Sequence, residues 1–242
     1  MKRRSVWLFG SSWLRHLCPL LGIAWIVVLA ASSSAFAADP PPSEPSYEPR
    51  YPWDTPLQGL ATIGGALAQD RDVDQYPFSA RGDKLELNPG FAVTLGTGGQ
   101  IQRWLRLELE TGLIGHELHR IGNDQPDGYL ANFPILLNAI FSYDSPKSRW
   151  VPYIGAGLGG NISLLSIDSA TGLEGHFTDV VYAAQAVAGV RYKVSRKLSL
   201  GIGYRYLHTG ALEFEDEDAP ATRMRFGGGG VHTLSLVFMI RR

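Results

Sequence analysis

Histidines beside acidic residues are the side chains of this sequence that could hold a metal ion. The run His116-Glu117-Leu118-His119 is one residue shorter than the H-E-x-x-H zinc motif, which also needs a helix. This run instead ends an alternating segment that is typical of a strand. We expect His176, His208 and His232 near the same end of the fold as His116. A shared metal site is the alternative there; we favour scattered histidines and predict no metal and no cofactor.

Nucleophilic catalysis would need a hydroxyl or thiol beside a base, and His208 is the candidate base. Glu213 and Glu215 follow it and could orient its ring. The position two residues after His208 holds Gly210, and Thr209 would point to the opposite face of a strand. The triad is therefore incomplete. We predict that the chain is not an enzyme.

Four further motifs resemble binding signatures, and in each case we favour a structural interpretation. Gly155-x-Gly157-x-x-Gly160 fits the dinucleotide fingerprint, but the alternating segment continues where a helix should begin. Asp70-x-Asp72-x-Asp74 starts like a calcium loop and lacks its turn glycine and terminal glutamate. Arg81-Gly82-Asp83 matches the integrin-binding tripeptide, which is common by chance. The acidic run at 213–218 is interpreted as a solvated loop, with divalent cations bridging it to lipopolysaccharide phosphates as the alternative.

The first 37 residues have the order of a secretory signal peptide. Lys2, Arg3 and Arg4 precede an apolar run from Leu20 to Ala31, which ends before Ala35-Phe36-Ala37, and we predict cleavage after Ala37. The single cysteine, Cys18, would leave with this segment, so disulfides are excluded from the exported protein.

The residues that follow predict a linker and then one domain. Residues 38–56 are rich in proline and predict an extended periplasmic linker. Residues 57–242 form the predicted barrel domain. The formal net charge of −1 gives no reason to expect a nucleic acid partner.

Beyond residue 57 the hydrophobic pattern alternates with period two, which predicts strands. In residues 105–110, leucines alternate with Arg106, Glu108 and Glu110; Arg191 and Arg205 lie on similar polar faces. Segments of this length suit a tilted membrane strand better than a soluble one. A soluble periplasmic ligand-binding barrel, with apolar residues inside, is an alternative. The predicted strands are 58–69, 85–97, 104–116, 129–143, 150–165, 178–194, 198–209 and 231–240.

The connections between these segments alternate in length, which is the plan of an outer-membrane β-barrel. Long polar loops are predicted at 70–84, 117–128, 166–177 and 210–230, and short turns between the other pairs. Aromatic side chains are expected to form an interfacial girdle near the short turns. The predicted girdle consists of Trp104, Tyr143, Trp150 and Tyr192.

Two motifs carry a resemblance to a known family. The run from Trp150 to Gly159, W-V-P-Y-I-G-A-G-L-G, and the later Gly201-Ile202-Gly203-Tyr204-Arg205-Tyr206 resemble strands of small OmpA/OmpX-type, porin-like outer-membrane barrels. The resemblance implies an all-β fold, an eight-stranded antiparallel up-and-down transmembrane barrel in the outer membrane of a Gram-negative cell. It also implies that the assembly machinery reads an aromatic residue in the last strand, where Phe238 is the candidate.

The expected role is structural, surface-interacting or minor porin-like. The expected partners are outer-membrane lipid, lipopolysaccharide and the assembly machinery, and the expected state is a monomer. A lipid A deacylase on the same scaffold is the enzymatic alternative, with His208 as its base.

An eight-stranded barrel has an interior just wide enough for side chains to fill it. We therefore predict that a set of inward charges pairs across the lumen and leaves no open channel. This predicted lumen network consists of Arg106, Glu108, Glu110, Arg191 and Arg205. The first and last strands should close the barrel, with Phe238 opposite Leu57–Gly59.

Overall fold

The structure is a computed structural model that describes residues 57–76, 83–145, 148–168, 174–215 and 223–241. The chain divides into two units, Met1–Ser46 and Tyr47–Arg242, and every described residue belongs to the second. The predicted signal peptide and linker lie outside the described residues and stay predictions. Within the described residues, no helix is long and apolar enough to cross a membrane.

The described residues form an all-β fold of antiparallel strands. In chain order the strands are β1 (Gln58–Ala68), β2 (Arg71–Gln75), β3 (Lys84–Leu87), β4 (Gly90–Gln102), β5 (Leu105–Ile121), β6 (Asp127–Ser142), β7 (Trp150–Asp168), β8 (Glu174–Lys193), β9 (Leu198–Thr209), β10 (Leu212–Glu215), β11 (Arg223–Phe226) and β12 (Gly229–Arg241).

Eight of these strands close into a ring, in the order β1, β4, β5, β6, β7, β8, β9 and β12. All pairings are antiparallel, and β12 pairs with β1 to close it, from Gln58 opposite Arg241 to Ala68 opposite Val231. Closure removes the open edges that lipid does not tolerate. The predicted eight-stranded antiparallel barrel is confirmed. Phe238 lies opposite Ala61, two residues further along β1 than expected, because the ladder starts at Gln58 and Arg241.

Large apolar side chains cover the outside of the ring. Leu158 is 71% exposed, and Ile202 and Leu234 also point outward. At the end of the barrel with the short turns, the Trp104 ring stacks on Phe141 with centroids 5.6 Å apart, and Trp150 meets Tyr192 at 4.9 Å. We call this the short-turn end.

The prediction of four long polar loops at 70–84, 117–128, 166–177 and 210–230 is wrong. Most of the described part of these segments forms strands instead, and the connections that remain are short, as between Ile121 and Asp127. β5 to β8 run on past the ring, and the four short strands β2, β3, β10 and β11 pair beside them in the order β10-β11-β2-β3-β5. We call these short strands, with the outer ends of β5–β8, the extension.

An apolar core explains why the extension is ordered as strands. Alternate residues of its strands turn inward and are buried together, since period-two alternation puts them on one face. Phe214 and Phe226 are fully buried, and Phe177 on β8 meets Phe214 on β10 with ring centroids 6.5 Å apart. The buried members are Val73, Tyr76, Leu85, Leu118, Ile121, Leu130, Leu165, Ile167, Phe177, Leu212, Phe214, Met224 and Phe226.

Candidate functional site

The barrel interior holds the charged residues singled out from the sequence. β5 directs Arg106, Glu108 and Glu110 inward, because alternate residues of a strand share a face. Arg191 on β8 and Arg205 on β9 also point inside, and none of the five is more than 8% exposed. The structure therefore brings all five side chains into the lumen, although their function there stays a prediction.

Two buried ion pairs join four of these residues. Arg106 Nη2 donates to Glu108 Oε2 at 2.8 Å, so this pair joins neighbours on one strand. Arg205 Nη2 donates to Glu110 Oε2 at 2.8 Å, and this pair spans the lumen from β9 to β5. Buried charges need such partners because removing them from water is costly.

Neutral polar side chains extend the network on the other strands. Gln185 Nε2 donates to Asn138 Oδ1 at 2.6 Å and lies 3.4 Å from Glu110 Oε1. Thr62 and Thr94 share a hydrogen bond of 2.8 Å between their hydroxyls. The sequence analysis did not include these residues in the lumen network. Their positions on the polar faces of alternating strands could have indicated that they point inward.

Arg191 differs from the other charges because no carboxylate lies within 4.0 Å of it among the described residues. Its Nη2 donates to Ser142 Oγ at 3.1 Å, and its guanidinium lies 5.0 Å from the centre of the Tyr153 ring. Tyr153 itself fits only because Gly189 and Gly203 face it: a Cβ at Gly189 would lie 2.5 Å from its hydroxyl.

Buried side chains continue from this network toward the extension. A cavity of about 30 Å³ lies among the charged side chains of the lumen, and it has room for about two water molecules. An apolar layer follows toward the extension, and its members are Ala66, Ala92, Ile114, Leu136, Ala183, Leu207 and Val231. Beside it, Asn132, Asn161 and Ser163 bond to one another at 2.8–2.9 Å. Side chains thus fill the ring from the charges to the extension's core.

Arg71 joins the barrel to the extension, and the sequence offered no pattern that singled it out. It is 2% exposed, and its Nη2 donates to Thr209 Oγ1 at 2.7 Å. Its Nη1 donates to Gly227 O at 3.3 Å and lies 3.5 Å from Gly210 O. Burial lowers the pKa of Arg71 to about 10, so the guanidinium stays charged at neutral pH. One side chain thereby connects β2 to the segments after β9 and β11.

The histidines considered for metal binding are not brought together. His116 is buried, with Nδ1 3.0 Å from Asn88 O, whereas His119 is exposed. His232 lies on the outer face and bonds Tyr204 OH at 2.7 Å. Within the described part of the chain, no group of three or more His, Cys, Asp or Glu side chains could hold a metal ion.

The candidate catalytic residues are also separated. His208 lies on the outer face of β9 against the Tyr182 ring, while Thr209 is buried inside and bound to Arg71. Glu213 lies in β10, where its backbone N–H donates to Asp179 Oδ2 at 2.7 Å.

The partial binding motifs take ordinary places in the sheet. Gly155, Gly157 and Gly160 lie within strand β7, which continues through the glycines. Asp70 lies 3.9 Å from Lys84 Nζ. The positions 81–82 and 216–218, from the integrin-binding tripeptide and the acidic run, lie outside the described residues.

The sequence matches the family model described as the outer membrane protein beta-barrel domain over residues 24–232. The chain belongs to the outer-membrane β-barrel family. This family implies the outer membrane of Gram-negative bacteria. In such barrels the short turns face the periplasm and the longer connections face outside.

Solved structures show the same fold. The barrel is similar to Neisserial surface protein A, with a TM-score of 0.50 and 20% identity over 77% of this chain and 97% of that chain. It is also similar to OprG from Pseudomonas aeruginosa, with a TM-score of 0.54 and 14% identity over 78% of this chain and 98% of that chain. None of the curated proteins compared with the chain matches it. At these identities the likeness concerns the fold alone.

Proposed function

We propose that this outer-membrane barrel conducts no solutes and acts through its external surface, in a structural or surface-interacting role. The filled lumen is the observation that carries the proposal. Two buried ion pairs, an apolar layer and the extension's core follow one another along the barrel axis. A passage for solutes would have to break all three.

The extension supports the second half of the proposal. Its apolar core holds its strands in place, so the surface is ordered before any partner arrives, which lowers the entropy cost of binding. Exposed charges of both signs stand on this core. Arg120 donates to Glu86 at 2.5 Å, and Arg225 lies 4.0 Å from Asp74. Lipopolysaccharide is the partner we propose for this surface.

The remaining parts of the proposal concern biogenesis. Export by a signal peptide cleaved after Ala37, insertion by the outer-membrane assembly machinery and a monomeric final state fit the family. Phe238, on the outer face of the last strand, is the residue we propose that machinery to recognise.

Conductance in planar bilayers tests the closed lumen. We expect no large, steady single-channel currents from the native barrel. The matched variant replaces Ile114, Leu136 and Leu207 of the apolar layer with glycine, and it should show more frequent openings. Large steady conductance of the native protein would refute the proposal.

Cysteine labelling in intact cells tests the orientation. In a Cys18→Ala background, Asp72→Cys in the extension should react with an impermeant maleimide. Lys197→Cys, in the turn between β8 and β9, should react only after the outer membrane is opened. The reverse pattern would place the extension in the periplasm.

Photocrosslinking tests the external partner. A photoreactive residue replacing Thr178, which points outward on the extension, should capture lipopolysaccharide or a surface partner in intact cells. The same probe replacing Leu158 on the barrel should capture only bulk lipid. Identical products at both sites would contradict a surface role for the extension.

A further inference from the structure

Positive charge gathers inside the barrel at the short-turn end. Arg106 and Arg191 both contact Met239 Sδ from inside the lumen. Arg241 and Lys193 lie at the same end and share one carboxylate, Asp144. Four cationic side chains therefore surround a region in which Glu108 and Asp144 are the only carboxylates that bond to them among the described residues.

Those two carboxylates are already engaged. Glu108 Oε2 accepts from Arg106 at 2.8 Å, and Asp144 accepts from Lys193 and from Arg241, the latter at 3.3 Å. Among the described residues Arg191 has no carboxylate partner, and it donates to the neutral hydroxyl of Ser142. The described side chains here therefore carry four positive charges against two carboxylates, an excess of two positive charges.

Three donors at this place have no acceptor among the described residues. The Nε atoms of Arg106, Arg191 and Arg241 are buried and make no hydrogen bond to any described part of the chain. Arg106 is 6% exposed and Arg191 3% exposed, so bulk water has little access to hydrogen-bond these side chains. A buried N–H donor without an acceptor is costly, and a negatively charged acceptor would remove that cost.

A small cavity lies between these side chains, which we call the mouth cavity. Its volume is about 10 Å³, enough for one particle of the size of a water molecule. Arg241 and Asp144 are each partly exposed, so the cavity can be reached from the periplasmic side. Its lining includes Arg106, Ser142, Asp144, Arg191 and Arg241.

We propose that the mouth cavity binds a small monovalent anion of the size of chloride, held by the guanidinium groups of Arg106, Arg191 and Arg241. The charge excess selects an anion. The volume favours a halide over phosphate or sulfate, whose four oxygens need more space than one water site. The ion would neutralise part of the repulsion between arginines that face one another across Met239.

Bromide diffraction tests the site directly. Crystals of the full-length protein grown in sodium bromide should show an anomalous peak within direct contact of the guanidinium nitrogens of Arg106 and Arg191. Crystals grown in sodium formate distinguish a small carboxylate from a halide as the occupant. Density for formate but not for bromide would overturn the proposal, as would an empty cavity in both.

Thermal unfolding tests binding in solution. The melting temperature of the purified protein in detergent should rise by about 2–5 °C when chloride replaces gluconate at equal ionic strength. Arg191→Gln should abolish this rise, while Arg196→Gln, in the exposed turn after β8, should keep it. An equal chloride response in both variants would refute the site. If Arg191→Gln does not fold, the bromide crystals of the native protein decide.

Discussion

The barrel and its extension share strands β5–β8 but have opposite interiors. Along β5, Glu108 and Glu110 point into the barrel lumen, whereas Leu118 and Ile121 point into the extension's core. Along β8, Arg191 is inside at one end and Phe177 is inside at the other. The inward face of one continuous strand changes from charged to apolar within a few residues.

The surroundings of the strand explain this change. Lipid surrounds the barrel, so apolar side chains belong outside, and the polar groups left inside must satisfy one another. Exposed charges such as Arg120 and Asp74 cover the outside of the extension, from which we infer that water surrounds it. Burial of apolar side chains inside then stabilises it as in a soluble protein. The strand geometry is the same in both regions, and the medium outside decides which face carries which chemistry.

The largest effect is expected from the extension's core. Phe214→Ala should cost about 3–5 kcal/mol of local stability, because it removes a fully buried ring. Hydrogen exchange should accelerate in β2, β10 and β11 and stay slow in β9 and β12. Leu158→Ala, which removes a side chain facing lipid, should leave all these rates nearly unchanged. Uniform acceleration in both variants would mean that the two regions unfold as one.

The buried ion pair tests the opposite interior. Glu110→Gln leaves Arg205 buried without its carboxylate and should cost about 3–5 kcal/mol in urea unfolding from liposomes. The double variant Glu110→Leu, Arg205→Met should recover much of that loss, since it leaves no charge to bury. Glu86→Gln removes an exposed pair in the extension and should leave unfolding unchanged. A double variant less stable than Glu110→Gln would show that the pair itself stabilises the lumen.

The outward faces give the next contrast. Ile202→Arg on the barrel should lose roughly 2–4 kcal/mol of folding free energy, because it sets a charge against lipid. Thr178→Arg, also outward but on the extension, should fold with native yield in liposomes, since water surrounds it. Equal yields for the two variants would mean that the lipid boundary lies elsewhere on β8 and β9.

The sequence predicted one region well and the other poorly, for the same physical reason. Apolar and polar residues alternate over ten or more positions in the barrel strands, so the ring and the inward faces of β5 and β9 could be predicted. The extension alternates over only four residues, as in Leu212–Glu215 and Arg223–Phe226, where charged neighbours made the segments look like polar loops.

Pairing between strands that are distant in the chain was the other feature that could not be predicted from the sequence. β11 pairs with β2, far away in the chain, so no local pattern indicated their common core. The candidate site shows the same limit. The inward charges could be predicted from alternation, but the Glu110–Arg205 pair, 95 residues apart, follows only from closure of the ring.

The smallest effect is expected where the lumen meets water again, at Asp144 beyond the end of β6. Burial alone would raise the pKa of this carboxyl, but its bonds to Lys193 and Arg241 outweigh burial and lower the pKa below the ordinary 3.8. A lowered folded-state pKa stabilises the protein above the unfolded-state value, and this contribution is lost as the pH falls through the folded-state pKa. Asp144→Asn should therefore be less stable than the native protein at pH 7, by under about 1 kcal/mol because the pair is partly exposed. The two proteins should converge in urea unfolding as the pH falls below 3.8. A difference that persists unchanged in acid would show that Asp144 stabilises the barrel end by packing and not by charge.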